Sequence, residues 1–280
     1  MSKPLDILSL GAGVQSTVLL LMSCRGELPK LDAAIFADTQ WEPEEVYTHL
    51  KWLQDKANKA GIPLRVVSGG DLRQHAIEGV LRGNRSNGQR YVTLPLYAGT
   101  DKGGMVRRQC TREYKIDPID KHIRSSMLGL KPRQHWPQDV AVRMWFGITS
   151  DELRRVRSPV AAWKSHVYPF VGLPKQMLPH SMTRQACIEW LRVNYPVQHI
   201  PRSACLGCPF RTNKEWRYIR DTSPVEWDDV VDVDKQIAAN NGGECFLHRD
   251  RVPLGEANID EDASQAEFWS HGECLGYCGT

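Results

Sequence analysis

Cysteines, arginines and one glycine-rich turn are the residues of this chain whose spacing could do chemistry. Cys205 and Cys208 stand at C-x-x-C spacing in "RSACLGCPFRTNKEW". Two thiolates on one turn can share a metal ion or two irons of a cluster, or cycle between dithiol and disulfide. Zinc, iron–sulfur and redox chemistry are all open on this spacing alone. "RRQCTREYKIDPI" sets Cys110 among Arg107, Arg108, Arg112 and Lys115. That setting favours the thiolate and offers charged donors to phosphate or sulfate. The chain ends "GECLGYCGT", with Cys274 and Cys278 on a short glycine-flanked tail able to fold over a site. Cys24 and Cys187 sit among apolar residues and read as small core side chains.

The glycine turn lies in "LDILSLGAGVQSTVLLLM", residues 5–22, between a strand-like run and a helix-like run. Its glycines let backbone approach phosphate, and the following helix offers unpaired N–H groups and a positive dipole end. A Walker-type loop is excluded, because no Gly-Lys-Ser/Thr follows. A dinucleotide-binding turn would want a third Gly or Ala where Ser16 stands, plus an acid after the second strand, where Asp38 lies. A shorter anion loop, using backbone and the Ser16 and Thr17 hydroxyls, is the other reading.

The elements that must position these groups follow from apolar spacing. Residues 6–10, 31–37 and 63–69 read as strands, and 15–24 as a helix. In "EPEEVYTHLKWLQDKANKAG", Val46, Leu50, Leu53, Ala57 and Ala60 fall on one helical face. Pro43 and its acidic neighbours suit that helix's start, and Gly61 its end. A short helix over 71–81 completes a strand–helix alternation that predicts a parallel sheet covered on both faces. Residues 82–104, rich in Gly, Asn and Arg, read as a mobile loop of the kind that covers a ligand. A helix near 112–128 and a buried strand over 140–148 resume the order. Beyond about Pro201 the pattern gives helices and cysteine-bearing loops.

The 280 residues can bury a sizeable core. No run is long enough to span a membrane, and no signal-peptide pattern opens the chain, so the expectation is a cytoplasmic protein. In that compartment the eight cysteines suit metal or redox work better than a disulfide framework. Net charge is +3, but residues 255–280 hold six acids and no Lys or Arg, which leaves +9 on the remainder. Such a body suits an anionic substrate or nucleic acid, although no nucleic-acid module is recognisable in it. A homo-oligomer is compatible with the sequence.

Taken in order, "SLGAGVQST", "FADTQWEPEEVYTHLKWL", "RRQCTREYKIDPI", "WFGITSDELRR", "YPF", "TRQACIEWLR" and "CLGCPFR" resemble the PAPS reductase family of the adenine nucleotide alpha-hydrolase-like (PP-loop) superfamily. They run across residues 5–212, about three-quarters of the chain. The resemblance implies an α/β fold with an open, mainly parallel sheet and helices on both faces. Residues 1–200 would form the nucleotide-binding domain, and 201–280 a cysteine-bearing segment and acidic tail packed on it. It implies that Ser9, Gly11, Gly13, Gln15, Ser16 and Thr17 cradle phosphate or sulfate, and that Gly147 also binds the nucleotide. Asp38 and Thr39 would lie beside the nucleotide, and Arg107, Arg108, Lys115, Arg154 and Arg155 near its anionic end. Cys110, Cys205 and Cys208 match three ligand positions of the family's [4Fe-4S] branch. Thr111 stands where the branch has another cysteine, so a fourth ligand would come from Cys274, Cys278 or Cys245. With Cys274 assigned to catalysis, Cys278 is the expected ligand.

Three activities fit these residues. In the first, Cys274 attacks the sulfur of an adenylyl sulfate (APS or PAPS), and a thiol or protein electron donor then releases sulfite. In the second, ATP is cleaved to AMP and pyrophosphate to activate an acceptor, such as a nucleobase, for sulfur transfer; Mg²⁺ belongs to this reading alone. The third is a nucleotide or cluster sensor without turnover. Val14 and Gln15 stand where ATP-cleaving members carry Lys and Asp. The loop therefore lacks the cation for pyrophosphate and a Mg²⁺ contact, which favours the first activity.

Overall fold

The computed structural model describes residues 3–81, 90–99, 104–172, 178, 181–196 and 199–261. Five strands form a parallel sheet: β1 (Leu5–Leu10), β2 (Ala33–Asp38), β3 (Leu64–Ser68), β6 (Val142–Trp145) and β7 (Lys164–Val167), in the order β3-β2-β1-β6-β7. Neighbouring residues on a strand point to opposite faces. Leu8, Phe36 and Trp145 accordingly enter one buried apolar cluster, and Ile7, Ile35 and Met144 the other. Both faces are apolar, so both must be covered.

On the first face lie α1 (Val14–Arg25), α2 (Glu44–Lys59) and α5 (Arg184–Asn194). Helix α1 is buried continuously from Val14 to Ser23 because it is wedged between the sheet and its neighbours. It ends at Gly26, whose φ of 77° supplies the left-handed cap. Helix α2 buries Val46, Leu50, Leu53 and Ala57, as the spacing predicts. The other face is covered by a helical segment over 112–127. Its centre is α4 (Asp117–His122), and a wide π-type turn flanks each side. At the start of β1, buried Asp6 accepts from Arg143 Nε at 2.7 Å and from Trp145 Nε1 at 2.8 Å. Asp6 and Arg143 are cross-strand partners, so this ion pair fixes the β1–β6 register.

A second core lies beside the sheet. It joins Trp41, the short helix α3 (Leu72–Glu78), Val92, Leu94, Leu96 and Tyr114 to residues from α6 (Asn213–Thr222) and α7 (Pro224–Asn240). A capping box between Thr212 and Glu215 starts α6. A small antiparallel sheet binds the same region together: β4 (Tyr97–Ala98) lies between β5 (Gly104–Met105) and β8 (Cys245–Phe246). The covering loop expected over 82–104 is corrected in part here. Residues 92–96 are buried without a break, and Val92, Leu94 and Leu96 join the second core. Residues 82–89 and 100–103 lie outside the described residues. No described helix is long and apolar enough to cross a membrane.

Where α1 meets α2, buried His49 hydrogen-bonds through Nε2 with Thr17 Oγ1 at 2.9 Å and stacks on Trp52. Burial drops the imidazole from its ordinary 6.5 to about 4, so the ring folds neutral. Below pH 6.5 the unfolded chain takes up a proton that the folded chain refuses until about pH 4. Stability is therefore expected to fall across that window, by up to about 3 kcal/mol from this ring. Urea denaturation at stepped pH checks this. The decline should be visibly shallower in His49→Gln.

Candidate functional site

In an open parallel sheet, ligands bind outside the carboxyl ends of the strands, where the strand order reverses. Here that point lies between β1 and β6. After β1 the chain turns through Gly11, Ala12 and Gly13, with Ala12 held at φ 57°. Ser16 closes the turn, accepting from Gly11 N–H at 3.2 Å and donating to the Gly13 carbonyl at 3.3 Å. Gly13 caps α1 with backbone only. Gly147, just beyond β6, presses on the same loop: a Cβ there would stand 2.7 Å from Ser16 N. Ser9 is half-buried at the end of β1. Thr17 is turned into the core towards His49 and is not brought to the loop.

Gln15 is buried, and both ends of its amide are engaged. Nε2 donates to Glu152 Oε2 at 3.0 Å, and Oε1 accepts from Arg184 Nη1 at 2.9 Å. Buried Glu152 also accepts from Thr149 Oγ1 at 3.2 Å and pairs with Arg155. Arg155 thus faces the loop's supporting carboxylate, while Arg154 is exposed.

The loop after β2 forms the second wall. Asp38 Oδ1 accepts from Gln40 N–H at 2.7 Å and from Tyr47 OH at 2.9 Å. Gln40 sits at φ 59°. Thr39 Oγ1 donates to the buried Glu42 carboxylate at 2.8 Å. Burial pushes the Glu42 carboxyl up, and the half-buried Lys115 beside it pulls it back.

The cysteine turn rests on both walls. Ser203 Oγ donates to the Gly11 carbonyl. Leu206 N–H donates to the Trp41 carbonyl at 2.8 Å. The Trp41 ring fills the space a Cβ on Gly207 would need. Buried Arg211 caps the turn, donating to the carbonyls of Ala204, Cys205 and Leu206 at 3.0–3.2 Å. Cys205 and Cys208 share a hydrogen bond that lowers the Cys208 thiol and raises that of Cys205, with Arg202, Arg211 and Arg108 also favouring the Cys208 thiolate. Half-buried Cys110 packs against the same apolar cluster, close enough for its charge to be felt at Cys205. Arg108 lies over Phe210, and Arg107 is exposed.

The chain matches no protein-family model and no curated protein sequence.

Cys205 and Cys208 share one turn, Cys110 lies within electrostatic reach of Cys205, and three thiols are the donor chemistry that suits zinc or an iron–sulfur cluster. The Cys205 and Cys208 thiols are screened from water, and three guanidinium groups favour the Cys208 thiolate. Among the described residues, no three His, Cys, Asp or Glu side chains enclose an ion as they stand. Cys274 and Cys278 lie outside the described residues. Cys245 is buried in β8, its thiol pushed up to about 11 by burial.

Sequence reasoning missed Trp41, Glu42, Glu152, Arg184, Ser203 and Arg211. All six sat inside quoted motifs, but nothing local marks a side chain whose partner lies in a distant segment.

Two substitutions test this geometry in opposite directions. Gly147→Ala forces a Cβ against backbone that cannot swing away and is expected to lose about 1–3 kcal/mol of stability. Gln40→Gly relieves a left-handed residue and is expected to hold or raise stability by up to about 1 kcal/mol. Urea midpoints of the two variants read both.

Proposed function

We propose that this protein binds an adenine sulfonucleotide at the carboxyl edge of its sheet and reduces it to sulfite, with Cys274 as nucleophile. The observation that carries the reading is the docking of the cysteine turn on the glycine loop, through Ser203 and Gly11. It sets sulfur ligands beside an anion-binding backbone. The Gln15 amide supports the same choice of substrate. Bound by Glu152 and Arg184, it offers no carboxylate to Mg²⁺, so the loop suits a nucleotide handled without metal.

In this reading, backbone N–H groups at the start of α1 hold the nucleotide's phosphate. Lys115, Arg107 and Arg108 offset its anionic charge, and Asp38 and Thr39 line the nucleoside side. Cys110, Cys205, Cys208 and Cys278 would hold a [4Fe-4S] cluster. Such a cluster would tie these segments together and set the electrostatic field beside the sulfonate. The Cys274 thiolate forms a bond to the sulfonate sulfur while the sulfur–oxygen bond to phosphate breaks, and the nucleotide leaves with the electron pair. A donor dithiol then attacks Cys274 Sγ and expels sulfite. Its second thiol frees Cys274, and the donor ends as a disulfide, having supplied two electrons.

The test is a panel of ATP, AMP, APS and PAPS, each scored for binding and for product in the presence of a dithiol. Sulfite from APS or PAPS, abolished in Cys274→Ser with binding retained, is the expected result. Pyrophosphate from ATP with no sulfite from either sulfonucleotide would replace this reading with AMP-forming sulfur transfer. Protein purified anaerobically should be brown, and one colourless zinc site would refute the cluster.

A further inference from the structure

Trp41 ties the loop after β2 to the cysteine turn. It follows Gln40, whose φ of 59° turns the chain away from β2. Its N–H approaches Thr39 Oγ1 at 3.4 Å, and its carbonyl takes the Leu206 N–H. Its ring is 4% exposed and seated on Gly207, between the two thiols in sequence. Nε1–H donates to Asp229 Oδ2 of α7 at 2.9 Å, and Asp229 Oδ1 accepts from Arg73 of α3 at 2.8 Å. A tryptophan packed only to fill a core needs neither the glycine beneath it nor a backbone bond to the turn. A loop with these ties cannot shift without moving Gly207, and with it the spacing of Cys205 and Cys208.

We propose that Trp41 is a positioning residue through which the loop after β2 sets the geometry of the Cys205–Cys208 pair, so that the spacing of these two ligands responds to nucleotide bound at Asp38 and Thr39. The nucleotide half of this rests on the function proposed above; the positioning half rests on contacts in the free protein. Both thiols are under a tenth exposed, so their rate of alkylation reports how firmly the turn is held.

The experiment measures iodoacetamide labelling of Cys205 and Cys208, peptide by peptide, in metal-free reduced full-length protein, with and without saturating APS. Wild type, Trp41→Phe and Trp41→Leu are compared, and calorimetry records APS binding in each. Without nucleotide, Trp41→Leu should label about fivefold faster than wild type, with Trp41→Phe partly restored. Gly207→Ala, disturbing the same contact from the other side, should label like Trp41→Leu. APS should slow wild-type labelling about fivefold and leave Trp41→Leu unchanged although it still binds. Equal nucleotide-free rates in wild type, Trp41→Leu and Gly207→Ala would overturn the proposal, as would an APS effect that survives Trp41→Leu. Wild type that binds no APS would remove the proposed function and the sensing half with it. The nucleotide-free rates would then decide whether Trp41 positions the thiols.

Discussion

Three stretches of chain cross at the carboxyl edge of the sheet at separations only glycine allows. At Gly11 a Cβ would stand 2.7 Å from Ser203 Oγ, and at Gly147 the same distance from Ser16 N. At Gly207 it would enter the Trp41 ring. Real Cβ atoms do not come this close to their neighbours, so each glycine marks backbone packed on a neighbour with no spacer. Remove the contact and the loops after β1, β2 and β6 lose their common reference point. The glycine loop, the carboxylates beneath it and the cysteine turn are arranged by these crossings.

Close packing at an edge built of loops leaves polar groups away from water, and these must be satisfied. Glu152 collects the Gln15 amide, the Thr149 hydroxyl and Arg155. Glu42 takes the Thr39 hydroxyl and lies near Lys115. Arg211 spends its donors on three carbonyls of the turn it caps. The left-handed Ala12 and Gln40 stand in the same two loops. Strained residues persist where surrounding contacts over-determine them, and they gather at functional sites. Asp6, at the opposite end of β1, is as deeply buried but serves only the strand register.

The first half of the fold was legible because its elements are long and periodic. The strands at 5–10, 33–38 and 64–68 and the helices at 14–25 and 44–59 fall within about two residues of their sequence reading. β7 was not seen, since "KSHV" carries a lysine that is buried only because Asp120 pairs with it. β4, β5 and β8 hold two residues each, too few for any alternation to register. In the site, glycines and cysteines announced themselves by type and spacing. Glu152 and Arg184 did not, because the roles of both are created by Gln15, 137 and 169 residues away. The Thr17 hydroxyl, likewise, meets a partner no local pattern announces, His49 of α2.

The second core has a consequence for how the molecule is made. Trp41 is braced by Asp229, 188 residues later, and Tyr97 pairs with Phe246. A ribosome that has released the first three strands has therefore delivered the loop after β2 without its distant brace. The loop acquires its brace only when α7 emerges, and its neighbouring small sheet only when β8 follows. Long-range closures of this kind are slow, because chain entropy is lost before the contacts repay it. The site is thus the last part of the protein to take shape. A chain truncated before α7 would keep most of its sheet and lose the brace beneath its chemistry.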